Sequence, residues 1–230
     1  MGSHHGLLLL RSFFGIIAIT LFFVTIQRMP LGASVSLKYT APVFTAIFAI
    51  LFLRERVRAI EWLLFLLALG GVLLMKGFDA RISMIDLTLG LLGAVASGLV
   101  YVMIRKIGNR EHPLVIVNYF MFISSVMAGI AMIPFWQTPS PREAVLLITM
   151  GTLGIFAQVY LTKAFQQEEA SKMVPFKYLE VVFSLLIGLV VFGEGYAFLS
   201  IVGMGIIVGS LTLRFFVKGL AVQRAGERHK

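Results

Sequence analysis

Long apolar runs alternate with short polar connectors along almost the whole chain. Most connectors contain glycine, proline or charged residues. A helix of about 20 apolar residues is long enough to cross the hydrocarbon of a bilayer, and it satisfies its own backbone hydrogen bonds there. The pattern therefore predicts an all-α polytopic membrane protein. We place eight transmembrane helices at residues 7–27, 31–53, 59–76, 88–107, 113–134, 144–165, 171–192 and 197–217.

An internal repeat runs through these helices with an offset of 139 residues and no gap. Its most specific matches align Lys38 and Tyr39 with Lys177 and Tyr178, and Glu55 with Glu194. An odd number of predicted helices separates corresponding residues, so the two copies should cross the membrane in opposite directions. Inverted repeats of this kind build many secondary transporters, whose substrate sites lie near the midplane between the repeats.

The two copies differ in length. Residues 1–76 form a partial first repeat of three helices, and residues 88–217 form a second repeat of five helices. The first two helices of the second repeat have no counterpart, so we expect an inverted plan of five plus five helices that lacks its first two. Residues 218–230 form a basic tail that we place in the cytoplasm.

Composition supports the membrane assignment. Hydrophobic residues make up 59% of the 230 residues and charged residues 13%, against about 25% charged residues in a typical soluble domain. The net charge of +9 comes from lysines and arginines in connectors and at helix ends, Arg11 among them. If both termini are cytoplasmic, most of these cations lie on the cytoplasmic side, as the positive-inside rule requires. We therefore expect a multi-pass protein of the inner cell membrane.

Two sequence runs resemble a known family. The run YTAPVFTAIFAILFLRERV, followed by WLLFLLALGGVLLM, is similar to the EamA branch of the drug/metabolite transporter superfamily. Repeats of that family have a proline within a helix, a Glu-Arg pair after the fourth helix and a glycine-rich fifth helix. In the second copy Val181 stands at the position of Pro42, and Gly195 follows Glu194 where Arg56 follows Glu55. The resemblance implies ten helices, a central cavity and solute transport by alternating access.

Lys38 is the first candidate for a role in transport. It lies about two turns inside a predicted helix, and a cation within the membrane is costly, so it usually faces a cavity or a partner. The alternative is that its long side chain reaches the headgroups. Tyr39 follows it and points elsewhere, either to the interfacial belt or to a cavity. Pro42 either kinks or breaks this helix or is tolerated there for packing alone.

The corresponding helix of the second copy offers a cation and a carboxylate. Lys177, Glu180 and Ser184 share one helix face by their spacing. We hypothesise that Lys177 and Glu180 form a pair that lines the cavity and that Glu180 takes up a proton during transport. A purely structural pair near the cytoplasmic end is an equal alternative. Tyr178 follows the lysine as Tyr39 does, and Pro175 precedes it.

Polar side chains on two further helices complete the predicted substrate site. Ser97 and Tyr101 share a face of one helix, and Gln158 and Thr162 share a face of another. These groups either bind a solute or join neighbouring helices, where such hydrogen bonds contribute about 0.6 kcal/mol on average. The predicted substrate-binding residues are thus Lys38, Tyr39, Lys177, Tyr178, Glu180, Ser97, Tyr101 and Gln158.

These features favour a secondary transporter, in the first place an exporter, of a small organic solute such as an amino acid or metabolite. Two inward-facing lysines suit a solute that carries a carboxylate. The sequence has no cysteine, nucleophile motif, metal-ligand spacing or nucleotide-binding loop, so we expect neither an enzyme nor a cofactor. The first alternative is a membrane subunit or scaffold that needs a partner chain. An intramembrane enzyme is a second and less favoured alternative.

The expected surroundings are the lipid bilayer and a small solute, without nucleic acid. The sequence leaves coupling to protons or to sodium open, and it leaves open whether the protein forms a homodimer.

Overall fold

The structure is a computed structural model, and it describes residues 4–54, 59–166, 179–210 and 213. Within these ranges the chain forms helices and no strand. The α-helices are α1 (His5–Arg28), α2 (Leu31–Lys38), α3 (Ala41–Leu53), α4 (Ala59–Phe78), α5 (Met84–Ile107), α6 (Pro113–Met132), α7 (Pro141–Gln166), α8 (Leu179–Val191) and α9 (Phe198–Ser210). Short 3-10 helices follow α5 and α6.

Five helical segments are long and apolar enough to cross a membrane. They are His5–Arg28, Leu31–Leu53, Met84–Arg110, Pro113–Phe135 and Pro141–Ala164. Two shorter apolar helices, Trp62–Leu74 and Phe198–Ser210, accompany them. The fold class of an all-α polytopic membrane protein is confirmed. The number of eight spans and the inverted arrangement stay predictions, because residues 167–178 and most residues after 210 lie outside the described ranges.

The predicted helix 31–53 is two helices in the structure. Helix α2 ends at Lys38, Tyr39 and Thr40 form a turn, and α3 begins at Ala41. Pro42 is the cause, because proline has no N–H group to donate to the carbonyl of Lys38 four residues earlier. The Thr40 hydroxyl donates to the carbonyl oxygen of Leu37 at 2.7 Å and satisfies one acceptor at the break. The segment Leu31–Leu53 is still long and apolar enough to cross the membrane, and of the two alternatives for Pro42 the structure shows the helix break.

Helix α5 begins at Met84, four residues before the predicted start at 88. Ser83 precedes it, and the Ser83 hydroxyl accepts a hydrogen bond from the Asp86 backbone N–H at 3.1 Å. Serine at this position satisfies one of the backbone donors that every helix start leaves unpaired. Asp86 therefore belongs to the first turn of α5 and not to a loop.

Helices α1 and α5 pack against each other in opposite directions. At one end the His4 backbone N–H donates to the Glu111 carboxylate at 3.0 Å; at the other, Arg28 Nε lies 2.5 Å from Asp86 Oδ1. We call the membrane face at the start of α1 the N-terminal face, and the face at the end of α1 the opposite face. Helix α6 starts at the N-terminal face, and α7 ends there.

Each face has its own apolar core. The core near the N-terminal face joins α1, α5 and α6 and contains Leu8, Val100, Ile104, Ile107 and Ile116. The core near the opposite face joins helices α2, α3, α4, α5 and α9, and its members include Met29, Leu37, Phe65, Leu87 and Ile207. Polar side chains that lie between these cores are therefore held inside the helix bundle.

Candidate functional site

Lys38 lies at the end of α2 beside the helix break. The side chain is partly buried, and its Nζ lies 4.7 Å from the centre of the Phe22 ring of α1. A cation over an aromatic face gains electrostatic energy, more so where water is excluded. Tyr39 is 8% exposed and belongs to the core of the opposite face. The predicted role of both residues in substrate binding stays a prediction.

The second predicted cation, Lys177, and the adjacent Tyr178 lie outside the described residues, as does Pro175. Helix α8 begins at Leu179, and the structure describes only the backbone of Glu180. The predicted pair of Lys177 and Glu180 therefore stays a prediction.

Arg11 differs from the expected cation at a helix end. It lies within α1 and is only 1% exposed. Its buried position follows from packing, because α1 lies against both α5 and α6. The available signal was its place inside an apolar run, with Leu7 to Leu10 before it and Phe13 and Phe14 soon after.

Three other helices surround the Arg11 guanidinium. Nη2 of Arg11 donates a hydrogen bond to Oε1 of Gln158 in α7 at 3.0 Å. The guanidinium carbon lies 4.1 Å from the centre of the Phe120 ring of α6. Tyr101 of α5 is near enough to interact with Arg11 electrostatically. We call Arg11, Tyr101, Phe120 and Gln158 the Arg11 site.

Gly15 makes room for this arrangement one turn after Arg11. A Cβ atom on Gly15 would lie 2.8 Å from the Phe120 ring and 3.3 Å from Nη1 of Arg11. Real carbon contacts are not that short, so a side chain here would displace the ring. The ring and the guanidinium can stack because residue 15 has no side chain.

The Arg11 site lies about two turns inside the helix bundle, counted from the N-terminal face. Its four residues are six to eight positions from the helix ends that reach the N-terminal face. At a rise of 1.5 Å per residue, that is a depth of about 9–12 Å.

Of the predicted substrate-binding residues, the structure brings Tyr101 and Gln158 together. Ser97 lies one turn from Tyr101, but its hydroxyl donates to the Gly93 carbonyl of its own helix at 2.9 Å. Lys38 contacts α1 at Phe22, which is eleven residues beyond Arg11, or about 16 Å along the axis. The lysine and the Arg11 site are thus separate places within the bundle.

The opposite face is closed by contacts to the start of α2. The Leu31 backbone N–H donates to both carboxylate oxygens of Glu194, at 3.0 and 3.1 Å. The Gly32 N–H donates to the Tyr196 hydroxyl at 3.3 Å, and this hydroxyl donates to Glu194. A carboxylate at a helix start pairs its free N–H groups and favours the positive end of the helix dipole. We call this arrangement the Glu194 cap.

Neighbouring charges strengthen the Glu194 cap. Arg81 forms a two-pronged pair with Asp79, at 2.9 and 2.7 Å, and its Nη2 also donates to the Gly195 carbonyl at 2.5 Å. Hydrogen bonding from Arg81 lowers the pKa of Asp79. Burial, together with the hydrogen bond to Glu194, raises the pKa of Tyr196 to about 12, so its hydroxyl stays protonated near neutral pH.

The N-terminal face contains a cavity of about 280 Å³ between the α5–α6 connection and the end of α7. It is lined by Asn109, Glu111, His112, Pro113, Lys163 and Gln166. Gln166 Nε2 donates to the carbonyls of Gly108 and Glu111 at 2.7 and 2.8 Å and joins α7 to the connection. Across the ranges described, no group of three His, Cys, Asp or Glu side chains is arranged to hold a metal ion.

Comparison with known proteins identifies the family. The chain matches the sequence model of the EamA-like transporter family over residues 3–77 and 84–216. It is 32% identical over 204 residues to the pseudopaline exporter of Pseudomonas aeruginosa strain UCBPP-PA14, covering 88% of this chain and 72% of that protein.

Two further relatives are more distant. A probable transport protein of Saccharomyces cerevisiae is 24% identical, over 88% of this chain and 65% of that protein. The S-adenosylmethionine uptake transporter of Rickettsia prowazekii is 27% identical, over 72% of this chain and 56% of that protein. The chain therefore belongs to the EamA-like transporter family and is a membrane transporter of small solutes, not an enzyme.

Proposed function

We propose that this protein exports a small organic solute, such as an amino acid or another metabolite, across the inner membrane by alternating access. The direction follows the more similar relative, which is an exporter at 32% identity, whereas the uptake transporter is 27% identical. The N-terminal face is cytoplasmic in this proposal, because most lysines and arginines flank the helices on that side.

The difference between the two membrane faces carries the proposal. At the opposite face Glu194 and Tyr196, from the α8–α9 connection, hold the start of α2. At the N-terminal face a surface pocket of about 280 Å³ lies between the α5–α6 connection and the end of α7. Alternating access needs one face to close while the other admits solute, usually by rigid movement of one bundle against the other. In the proposed cycle this arrangement is the state that loads solute from the cytoplasm.

The Glu194 cap is suited to be the contact that breaks and reforms. It joins elements that are far apart in the chain through backbone N–H groups and one carboxylate, and Leu31, Leu185 and Tyr196 add apolar contact beside it. The hydrogen bonds of the cap themselves are worth about 1–2 kcal/mol, which is small enough to break in each transport cycle. The predicted roles of Lys38, Lys177 and Glu180 in solute or proton binding belong to the same proposal, with coupling to protons or sodium.

Transport assays in two vesicle orientations test the function. Everted and right-side-out membrane vesicles that contain the protein are supplied with each of the twenty radiolabelled L-amino acids, under a proton gradient or a sodium gradient. An exporter accumulates at least one label in everted vesicles above vesicles without the protein. Accumulation only in right-side-out vesicles would make the protein an importer. If vesicles with and without the protein accumulate equal amounts of every labelled amino acid, transport of this solute class is overturned.

Cross-linking tests the proposed movement. The chain contains no cysteine, so cysteines placed at Leu31 and Gly195 are the only ones that a short bismaleimide can join. The cross-linked protein should lose transport, and each single-cysteine variant treated in the same way should keep it. Full transport by the cross-linked protein would show that the cap does not open during the cycle.

A further inference from the structure

Arg11 is buried, and several of its hydrogen-bond donors are unpaired. Its guanidinium carries five N–H donors, and its hydrogen bond goes to the neutral amide oxygen of Gln158. Nε and Nη1 are both buried and have no hydrogen-bond partner. No carboxylate of the described residues forms an ion pair with it. A cation kept in this condition inside a membrane protein typically marks a solute or ion pathway.

The surroundings of Arg11 hold its guanidinium in one orientation. The Phe120 ring covers it at 4.1 Å, and Gln158 fixes Nη2. The group is therefore preorganised, since its rotamers are already restricted before any ligand arrives. A fixed guanidinium matches the geometry of a carboxylate, which can accept two parallel hydrogen bonds from it.

Further unpaired polar atoms lie on the same helix faces. Thr162 follows Gln158 by one turn of α7, is fully buried, and its hydroxyl has no partner. Ser124 follows Phe120 by one turn of α6, and its buried hydroxyl has none either. Buried polar groups are nearly always hydrogen-bonded, so several unpaired ones on facing helices indicate a place for a polar ligand.

A polar stripe on α7 connects the Arg11 site with the cavity at the N-terminal face. Gln158, Thr162 and Gln166 recur every four residues and share one face of the helix. Gln166 lines the cavity, together with Lys163, and lies about 12 Å from the level of Gln158 along the axis.

We propose that Arg11 binds the carboxylate of the transported solute, and that Gln158 and Thr162 hydrogen-bond the polar groups next to it. The solute enters from the cavity at the N-terminal face and follows the stripe on α7. This inference rests on the proposed function and narrows it to carboxylate-bearing solutes, with Arg11 as an anion site in addition to the predicted Lys38 and Lys177.

Ligand-dependent thermal unfolding of the purified protein tests the site without a transport assay. The probes are the twenty L-amino acids, succinate and citrate, compared with the corresponding amino-acid amides, which lack the negative charge. At least one carboxylate should raise the Tm of the wild-type protein, while its amide does not. If no carboxylate in this set raises the Tm, or if amides act equally, the inference is overturned.

Two substitutions in the site give opposite signatures. Arg11→Met removes the charge and should abolish the carboxylate response while leaving the Tm without ligand equal to or above that of the wild type, since an uncompensated buried charge is removed. Gln158→Glu brings a carboxylate to the position 3.0 Å from Nη2. It should raise the Tm without ligand and weaken carboxylate binding at least tenfold, because the new carboxylate pairs with the Arg11 guanidinium and neutralises the charge that attracts the solute.

Matched controls separate this role from a structural one. Arg142→Met makes the same change at an exposed position at the start of α7 and should keep the carboxylate response. Arg11→Lys retains the positive charge but lacks the paired N–H donors of the guanidinium, so it should bind carboxylates more weakly than the wild type. If Arg11→Met lowers the Tm but keeps the carboxylate response, Arg11 is structural.

Transport in proteoliposomes then distinguishes the two proposals. Loss of carboxylate transport by Arg11→Met, with wild-type transport intact, supports both. Equal transport of carboxylates by the wild type and Arg11→Met leaves the transporter in place and removes Arg11 as the anion site. Carboxylate binding by the wild type without transport in either vesicle orientation keeps the site and overturns the proposed function.

Discussion

Neutralising Glu194 should open the face of the protein that the Glu194 cap closes. In Glu194→Gln the side-chain NH2 group cannot accept the hydrogen bond of the Leu31 N–H that one carboxylate oxygen accepts at present. The negative charge at the positive end of α2 is lost as well. A lost helix cap costs about 0.5–2 kcal/mol and a lost favourable charge about 0.3–1 kcal/mol.

Together these losses weaken the closed state by about 1–2 kcal/mol, and a change of that size multiplies the open population about 5- to 30-fold. Ser34 provides a reporter position. It lies in the first turn of α2, is 2% exposed, and its hydroxyl has no hydrogen-bond partner. Serine and cysteine have similar shapes, so Ser34→Cys gives a single buried thiol in a chain without cysteine.

The assay measures the rate at which a membrane-impermeant maleimide labels this thiol from the opposite face. When opening and closing are fast, the rate is proportional to the open population. We expect labelling about 5- to 30-fold faster in Glu194→Gln than in the protein that carries Ser34→Cys alone.

Glu143→Gln is the matched control. Glu143 also accepts a hydrogen bond from a backbone N–H at a helix start, that of Ser140 at 2.8 Å, but this contact stays within α7. Labelling in this variant should not change. Equal labelling rates for Glu194→Gln and the control would refute the idea that the carboxylate holds the opposite face closed.

Three further predictions follow from other parts of the molecule. Arg81 lowers the pKa of Asp79 in the folded protein. The stability that Asp79 contributes is therefore present above its unfolded pKa of about 4 and is lost as the pH falls through the lower folded pKa. Asp79→Asn should reduce the fall in Tm that the wild type shows below about pH 4. Gly98→Ala should cost about 1–3 kcal/mol of unfolding free energy, because the new Cβ would lie 2.9 Å from α3, whereas Gly151→Ala, with nothing within 4 Å, should stabilise by about 0.5–1 kcal/mol in the same denaturation assay. Transport by Glu180→Gln should lose its dependence on pH, and a pH profile like that of the wild type would exclude Glu180 as the proton site.

The candidate site could be predicted in part. Tyr101 and Gln158 could be predicted as site residues from the sequence. Polar side chains are rare in apolar helices, and each of these two shares a helix face with another polar residue. That these two meet around Arg11 depends on which helices are neighbours, and helix periodicity does not contain that information. Lys38 is a candidate because its position is repeated at Lys177, and its Nζ lies over the Phe22 ring of α1.

The sequence by itself determined the class of the protein and the positions of most helices. Lipid provides no hydrogen-bond partners, so any sufficiently long apolar run must form a helix, and this requirement is local. The break before Ala41 was also readable, because it follows from the chemistry of Pro42.

Only the tertiary structure decided which polar groups are buried together. Arg11 reads as a helix-end cation in the sequence, yet packing of α1 against α5 and α6 takes it out of contact with water and lipid. Glu194 reads as a charge after a helix, yet the fold sets it at the start of α2, 163 residues earlier in the chain. Both outcomes depend on contacts between distant segments, whose energies come from burial and pairing in three dimensions.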